Sequence, residues 1–145
     1  MRILAVDLGL ARTGLAVSDP GGKIATPVGT IAERHMDTLL QKVAAAAAEQ
    51  KAEAVVVGHP RNMDGTRGES AQRAEAFAKA LGETTGLPVT LWDERLTTAS
   101  AIGYLNMTDT RGKKRKAVVD TVAATIILQD YLDSLRLRRE REDTK

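Results

Sequence analysis

Residues 54–58 read Ala-Val-Val-Val-Gly, a strand-length run with no polar side chain, and helical periodicity lies on both sides of it. Upstream, Met36, Leu39, Leu40, Val43, Ala44 and Ala47 recur at three and four residues between about Arg34 and Lys51, and the alanine run favours helix. Downstream, Ala71, Ala74, Phe77, Ala78 and Leu81 mark a second helix, stopped by Gly86 and Pro88. Val89 to Trp92 then forms another strand. Strand, helix, strand is a βαβ unit, whose crossover is right-handed in nearly all cases, so the two strands are expected to be parallel neighbours.

The opening segment has a different organisation. Residues 2–8 and Thr13 to Ser18 read as strands joined by Leu8-Gly9-Leu10-Ala11-Arg12, a connection short enough for a hairpin. After the turn signal Asp19-Pro20-Gly21-Gly22, Lys23 to Ile31 carries Ile24, Val28 and Ile31 and reads as a third strand. Beyond the fifth strand a short helix after Leu96, with Thr97 as N-cap, is expected to lead into a basic loop. A final helix is expected from about Ala117 to Leu135. The element order is therefore β-β-β-α-β-α-β-α. Residues 1–137 form one domain in this reading, and the nearly all-charged residues 138–145 a frayed or disordered tail. A chain of 145 residues can bury a core without disulfides or structural zinc.

Three acids interrupt or end apolar runs. Asp7 ends Met1-Arg2-Ile3-Leu4-Ala5-Val6, Glu94 ends Pro88-Val89-Thr90-Leu91-Trp92-Asp93, and Asp120 interrupts Ala117-Val118-Val119. A carboxylate in apolar surroundings costs several kcal/mol, comparable with the stability of a small domain, unless a cation or hydrogen-bond donors compensate it. With no Cys and two His in the chain, a compensating metal would take oxygen ligands, which suits Mg2+ or Mn2+.

Each acid also has an ordinary structural reading. Asp7 could cap a turn, Asp93 and Glu94 could be exposed strand-end acids, and Asp120 could be a first-turn acid favoured by the helix dipole. At about 100° per residue, Asp120 lies with Ala124, Ile127 and Tyr131, whereas Thr121, Thr125 and Gln129 form a separate polar stripe. If the first strand is central, all three acids converge at the carboxyl ends of the strands, the usual functional edge of an open α/β sheet. Strand parity alone leaves the choice between Asp93 and Glu94 open.

Net charge is +2, but it is unevenly placed, with one basic block at Arg111 to Lys116 and another at Arg136 to Arg141. Such blocks suit a polyanion; solvated loops or helix ends are the competing reading. The first residues lack the parts of a signal peptide, and no stretch approaches about 18 uninterrupted apolar residues. A soluble cytoplasmic chain with no membrane partner is expected.

Four local patterns occur in order: Asp7-x-Gly9-x-x-Arg12-x-Gly14-x-Ala16-x-Ser18-Asp19; Val57-Gly58-x-Pro60 with Gly65-x-x-Gly68-x-x-Ala71; Asp93-Glu94-Arg95-Leu96-Thr97-Thr98; and Arg115-Lys116-x-x-x-Asp120-x-x-Ala123-Ala124-x-x-x-Leu128-Gln129-x-Tyr131-Leu132. Together they resemble the YqgF/RuvX family of Holliday-junction-resolvase-like nucleases, over residues 1 to about 133. The resemblance implies an RNase H-like α/β fold, with a five-stranded mixed sheet of order 3-2-1-4-5 flanked by helices. It also implies a metal-dependent nuclease, a hydrolase of phosphodiester bonds acting in maturation of the 5′ end of precursor 16S rRNA. Carried over by position, Asp7, Glu94 and Asp120 are the catalytic, metal-holding acids, and Asp93 is a hydrogen-bonding support. One departure is Ala123, where resolvases of the wider superfamily often carry a further acid.

On that reading Mg2+ or Mn2+ is the cofactor, and two such ions about 3.5–4 Å apart could activate water and stabilise the leaving oxygen. Lys113, Lys114, Arg115 and Lys116 would hold the phosphate backbone. Arg12 and Arg95 could neutralise a phosphate or pair with the carboxylates, and Thr98 could touch a phosphate or cap a helix. One Trp, two Tyr and one Phe leave no evident stacking platform. His59 reads as structural rather than as a base, and Gly65 and Gly68 as loop and helix-start residues. Precursor rRNA is the favoured partner and structured DNA the second. A junction resolvase, which needs a homodimer, and a non-catalytic RNA-binding maturation factor are the alternatives, with monomer or homodimer left open.

Overall fold

The structure, a computed structural model, describes residues 1–60, 64–94 and 112–143, and the side chains of all of these except 112–120 and 143. Among these described residues, five strands and three helices follow in the order β1 (Ile3–Asp7), β2 (Arg12–Ser18), β3 (Ala25–Ala32), α1 (Met36–Glu49), β4 (Ala54–His59), α2 (Glu69–Thr85), β5 (Val89–Asp93) and α3 (Gly112–Asp143). The sheet order is β3-β2-β1-β4-β5. β1, β2 and β3 are antiparallel neighbours, and β1, β4 and β5 run parallel.

Alternation along the strands divides the core in two. Leu4, Val6, Leu15, Val55 and Val57 pack with Leu39, Val43 and Ala47 of α1 and Ala74, Phe77, Ala78 and Leu81 of α2. The intervening residues Ile3, Ala5, Ala16 and Val56 face Ala124, Ile127, Leu128 and Leu132 of α3. The apolar β4 run is thus covered on both faces, as a central parallel strand requires. α2 ends where Gly86 takes φ +72° and its N–H reaches the Gly82 carbonyl at 2.9 Å, a left-handed cap that glycine adopts without strain.

β3 is an edge strand held differently from expectation. Ile24 and Val28 are exposed, while Ile31 packs against the α1–α2 core and Ala25 against the α3-side core, so apolar burial fixes it only in part. The polar stripe of α3 also stitches it down. The Ala25 N–H donates to Gln129 Oε1 at 3.0 Å, Gln129 Nε2 donates to the Lys23 carbonyl at 3.0 Å, and the Thr30 and Thr121 hydroxyls bond at 2.8 Å. The register slips between Leu15 and Ala16: Leu15 pairs with Gly29 and Ala16 with Pro27, leaving Val28 as a bulge.

α3 begins earlier and ends later than its apolar stripe. The basic block 113–116, expected in a loop, lies on its first turns, and the charged segment beyond Leu137, expected as a disordered tail, continues the helix to Asp143. Lys, Arg and Glu are good helix formers, so the helix propagates past the residues that the sheet buries. The expected helix after Leu96 lies outside the described residues. Among those described, no helix is long and apolar enough to cross a membrane.

Candidate active site

Asp7 is the last residue of β1, and Glu94 follows β5 directly, with β4 between them. Neighbouring strands are about 4.8 Å apart, so the two backbones stand roughly 10 Å from each other and a side chain must cross β4 for the acids to meet. Parity decides which acid crosses. His59 pairs with Asp93 and Gly58 with Trp92. Trp92 packs with the α3-side core, so Asp93 points to the α1–α2 side and Glu94 to the α3 side. The edge of Trp92 meets Tyr131 of α3, with ring centroids 5.7 Å apart.

Gly58 makes the crossing feasible. A Cβ at this position would stand 2.7 Å from both Cδ and Oε1 of Glu94. The Glu94 carboxyl therefore lies directly over a bare Cα and reaches Asp7, to which it is hydrogen-bonded. The Val-Gly-x-Pro pattern carried this signal, but no sequence rule revealed what the glycine accommodates.

The electrostatics follow from the geometry. Glu94 is pushed up to about 10, first by burial, then by its hydrogen bond to Asp7 and by the charges of Asp7 and Asp93. Burial also raises Asp7, against the opposing effect of the hydrogen bond from Glu94. Two partly buried carboxyl groups in hydrogen-bond contact favour holding one proton between them over ionising together when no cation is present. Carboxyl oxygens are hard donors, of the kind that hard divalent cations take as ligands. The donor set therefore fits Mg2+ or Mn2+.

Asp120 lies on α3, and its side chain is outside the described residues. Its level along the sheet is nonetheless marked by its neighbour. Asp7 pairs with Gly14, Gly14 pairs with Thr30, and the Thr30 hydroxyl bonds that of Thr121. One row across the sheet thus ties the end of β1 to the residue after Asp120. Arg12 opens β2, beyond the turn that follows Asp7, and the basic residues 113–116 stand on the first turns of α3 ahead of Asp120. Arg95 and Thr98 lie outside the described residues.

Residues not anticipated as part of this region also meet at the carboxyl edge. His59 Nε2 lies 2.6 Å from Glu75 Oε2, and Arg67 donates to both Glu75 oxygens at 2.8 and 2.7 Å. Arg73 of α2 donates to the Gly9 carbonyl at 2.9 Å.

The sequence model of the RuvX family, described as Holliday junction resolvase, matches residues 1–134. The chain belongs to the RuvX family. A protein of Geobacillus kaustophilus named "Putative pre-16S rRNA nuclease" is 46% identical over 138 residues, covering 94% of this RuvX-family chain and 100% of its own length. A protein of the same name from Lachnospira eligens is 44% identical over 137 residues, covering 92% and 98%. Among solved structures, Thermus thermophilus RuvC in complex with a Holliday junction substrate superposes with a TM-score of 0.61 at 14% identity, over 94% of this chain and 96% of that one. The fowlpox virus resolvase with its junction DNA gives 0.57 at 14% identity, over 93% and 99%. At this identity the likeness shows the fold, which is RNase H-like with the expected sheet order.

Proposed function

We propose that this RuvX-family chain is a nuclease that hydrolyses phosphodiester bonds of precursor 16S rRNA in the cytoplasm, with Asp7, Glu94 and Asp120 as its metal-holding acids. The observation that carries the proposal is the partly buried, hydrogen-bonded pair of Asp7 and Glu94 at the carboxyl ends of the parallel strands β1 and β5, in a chain 46% identical to a protein with that name. A divalent cation bound there supplies charge that lowers the pKa of water and stabilises the transition state and leaving oxygen. The chain's own part is to release the shared proton, to hold the Glu94 carboxyl over Gly58 against Asp7, and to shield that contact in part from water. The basic start of α3 would grip the phosphate backbone through salt-sensitive contacts that carry little sequence information.

The test is cleavage of end-labelled precursor rRNA by purified protein with Mg2+ or Mn2+, beside Asp7→Asn and Glu94→Gln. Metal-dependent cutting by the native chain alone is expected, and equal cutting by all three proteins would overturn the proposal. A second reading, junction cleavage, is favoured by the description of the family model and requires a homodimer presenting two sites. Paired symmetric nicks in a DNA four-way junction, with precursor RNA left intact, would select it.

A further inference from the structure

The ladder between β1 and β4 stops one residue short of the acids. Its last pair is Val6 with Val57, so Asp7 and Gly58 lie beyond it, whereas pairing between β4 and β5 continues to His59 and Asp93. Backbone pairing between β1 and β4 therefore does not fix how far Asp7 stands from the Glu94 cradle. Both strand ends are tied instead to one helix. Arg73 Nη2 donates to the Gly9 carbonyl at 2.9 Å, two residues past Asp7. Glu75 holds His59 at 2.6 Å, one residue past Gly58.

The helix suits this task. Residues two apart do not share a helix face, so Arg73 and Glu75 leave α2 on different flanks, one reaching the β1–β2 turn and the other the end of β4. Between them Ala74, with Phe77, Ala78 and Leu81, is buried in the core beneath. Neither tie is loose. Arg67 grips Glu75 through two parallel bonds of 2.8 and 2.7 Å, a geometry that fixes direction as well as distance. The Gly9 turn is equally constrained, since a Cβ there would stand 2.0 Å from the Arg12 carbonyl oxygen.

We propose that α2 braces the acid pair, with Arg73 and the His59–Glu75 couple as positioning residues that set the separation of Asp7 and Glu94. The proposal rests on the reading of that pair as the metal-holding site. Neither arginine nor histidine touches the reacting atoms in this scheme; they act through the strand ends they hold.

The test pairs Arg73→Met, which keeps the apolar stem and removes the donor, with Arg73→Lys, which restores one donor. His59→Leu and His59→Gln form the parallel pair. Each is measured for kcat and KM on precursor rRNA, for Mn2+ binding without substrate by electron paramagnetic resonance, and for folding by circular dichroism. An ångström of misplacement costs about a hundredfold in rate. Arg73→Met and His59→Leu should thus lose about ten- to a hundredfold in kcat, with KM within about threefold, and bind Mn2+ about tenfold more weakly. Arg73→Lys and His59→Gln should recover most of both. Native Mn2+ binding and kcat in Arg73→Met, or a loss confined to KM, would overturn the brace. Should His59→Leu fail to fold, Arg73→Met decides alone. Asp7→Asn, run alongside, separates the two readings: if it cuts normally the acid-pair reading falls, and if it is dead while Arg73→Met is native only the brace falls.

Discussion

Replacing Gly58 by alanine should separate activity from stability. The new Cβ would meet Cδ and Oε1 of Glu94 at 2.7 Å and Cγ at 3.0 Å. Carbon contacts settle near 3.5–4.0 Å, so the carboxyl must retreat by about 1 Å. The atoms it meets are the far end of a side chain rather than backbone, so the fold can yield there. Overpacking usually costs about 1–3 kcal/mol, and here the lower end applies. Exchanging glycine for alanine within a strand returns about 0.5–1 kcal/mol, which leaves net stability within about 1 kcal/mol of native. Catalysis has no such offset. If the pair is the proposed metal-holding site, moving one of its acids by about 1 Å costs about a hundredfold in rate, or about 2.7 kcal/mol in the barrier. Single-turnover cleavage of precursor rRNA in Mn2+ and urea unfolding of the same preparation give both quantities. Cleavage within threefold of native, or a loss of rate matched by an equal loss of stability, would refute the reasoning.

Other perturbations follow from the same geometry. Glu94 binds its proton up to about pH 10 in the fold but only to about its ordinary 4.5 when unfolded, so across that window the native state holds more protons. Stability of the metal-free protein should therefore fall as pH rises, by up to about 1.4 kcal/mol per unit. Urea midpoints between pH 5.5 and 8.5 would show this, and Glu94→Gln should flatten the slope; an unchanged slope in that variant counts against the shared proton. The Thr13 hydroxyl is fully buried with no hydrogen-bond partner among the described residues, so Thr13→Val should raise stability by about 1 kcal/mol or more in urea melts, and a loss would show that the hydroxyl is satisfied in solution. Gln129→Ala removes the bonds to the part-buried Ala25 N–H and the exposed Lys23 carbonyl and should cost about 0.5–1.5 kcal/mol, with faster hydrogen exchange at Ala25; unchanged exchange there would contradict the stitching of β3 by α3.

Apolar burial, on one face for the helices and on both for β4, is what made the fold legible. All five apolar residues that marked α2, Ala71 to Leu81, are buried, and the apolar β4 run is the central strand between β1 and β5. Where burial is absent or polar, the sequence is mute. The basic residues 113–116 and the charged residues after Leu137 carry no apolar period, yet their propensity sustains a helix. β3 was recognised by Ile24, Val28 and Ile31, of which Ile31 packs on the core and the other two are exposed, while bonds from Gln129 and between Thr30 and Thr121 add to its hold. At the candidate site, Asp7 and Glu94 were visible as acids in apolar runs. Strand parity left Asp93 and Glu94 open and the family resemblance favoured Glu94, which the sheet register turns to the α3 side; the role of Gly58 needed the crossing of β4, a contact between residues far apart in the chain.

The bulge at Val28 has a bearing on how such chains can change length. Ala25 and Thr30 are an odd number of residues apart, so in a regular strand they would face opposite sides. The extra residue turns both toward α3, where one meets Gln129 and the other Thr121. A surface residue that touches little therefore carries the parity of the strand. Losing it would rotate Thr30 away from the helix and cut the row that runs from Asp7 through Gly14 to the neighbour of Asp120. Insertions and deletions in descendants of this chain should thus be common in the turn at Gly21 and Gly22 and rare between Pro27 and Thr30, an asymmetry that exposure alone would not forecast.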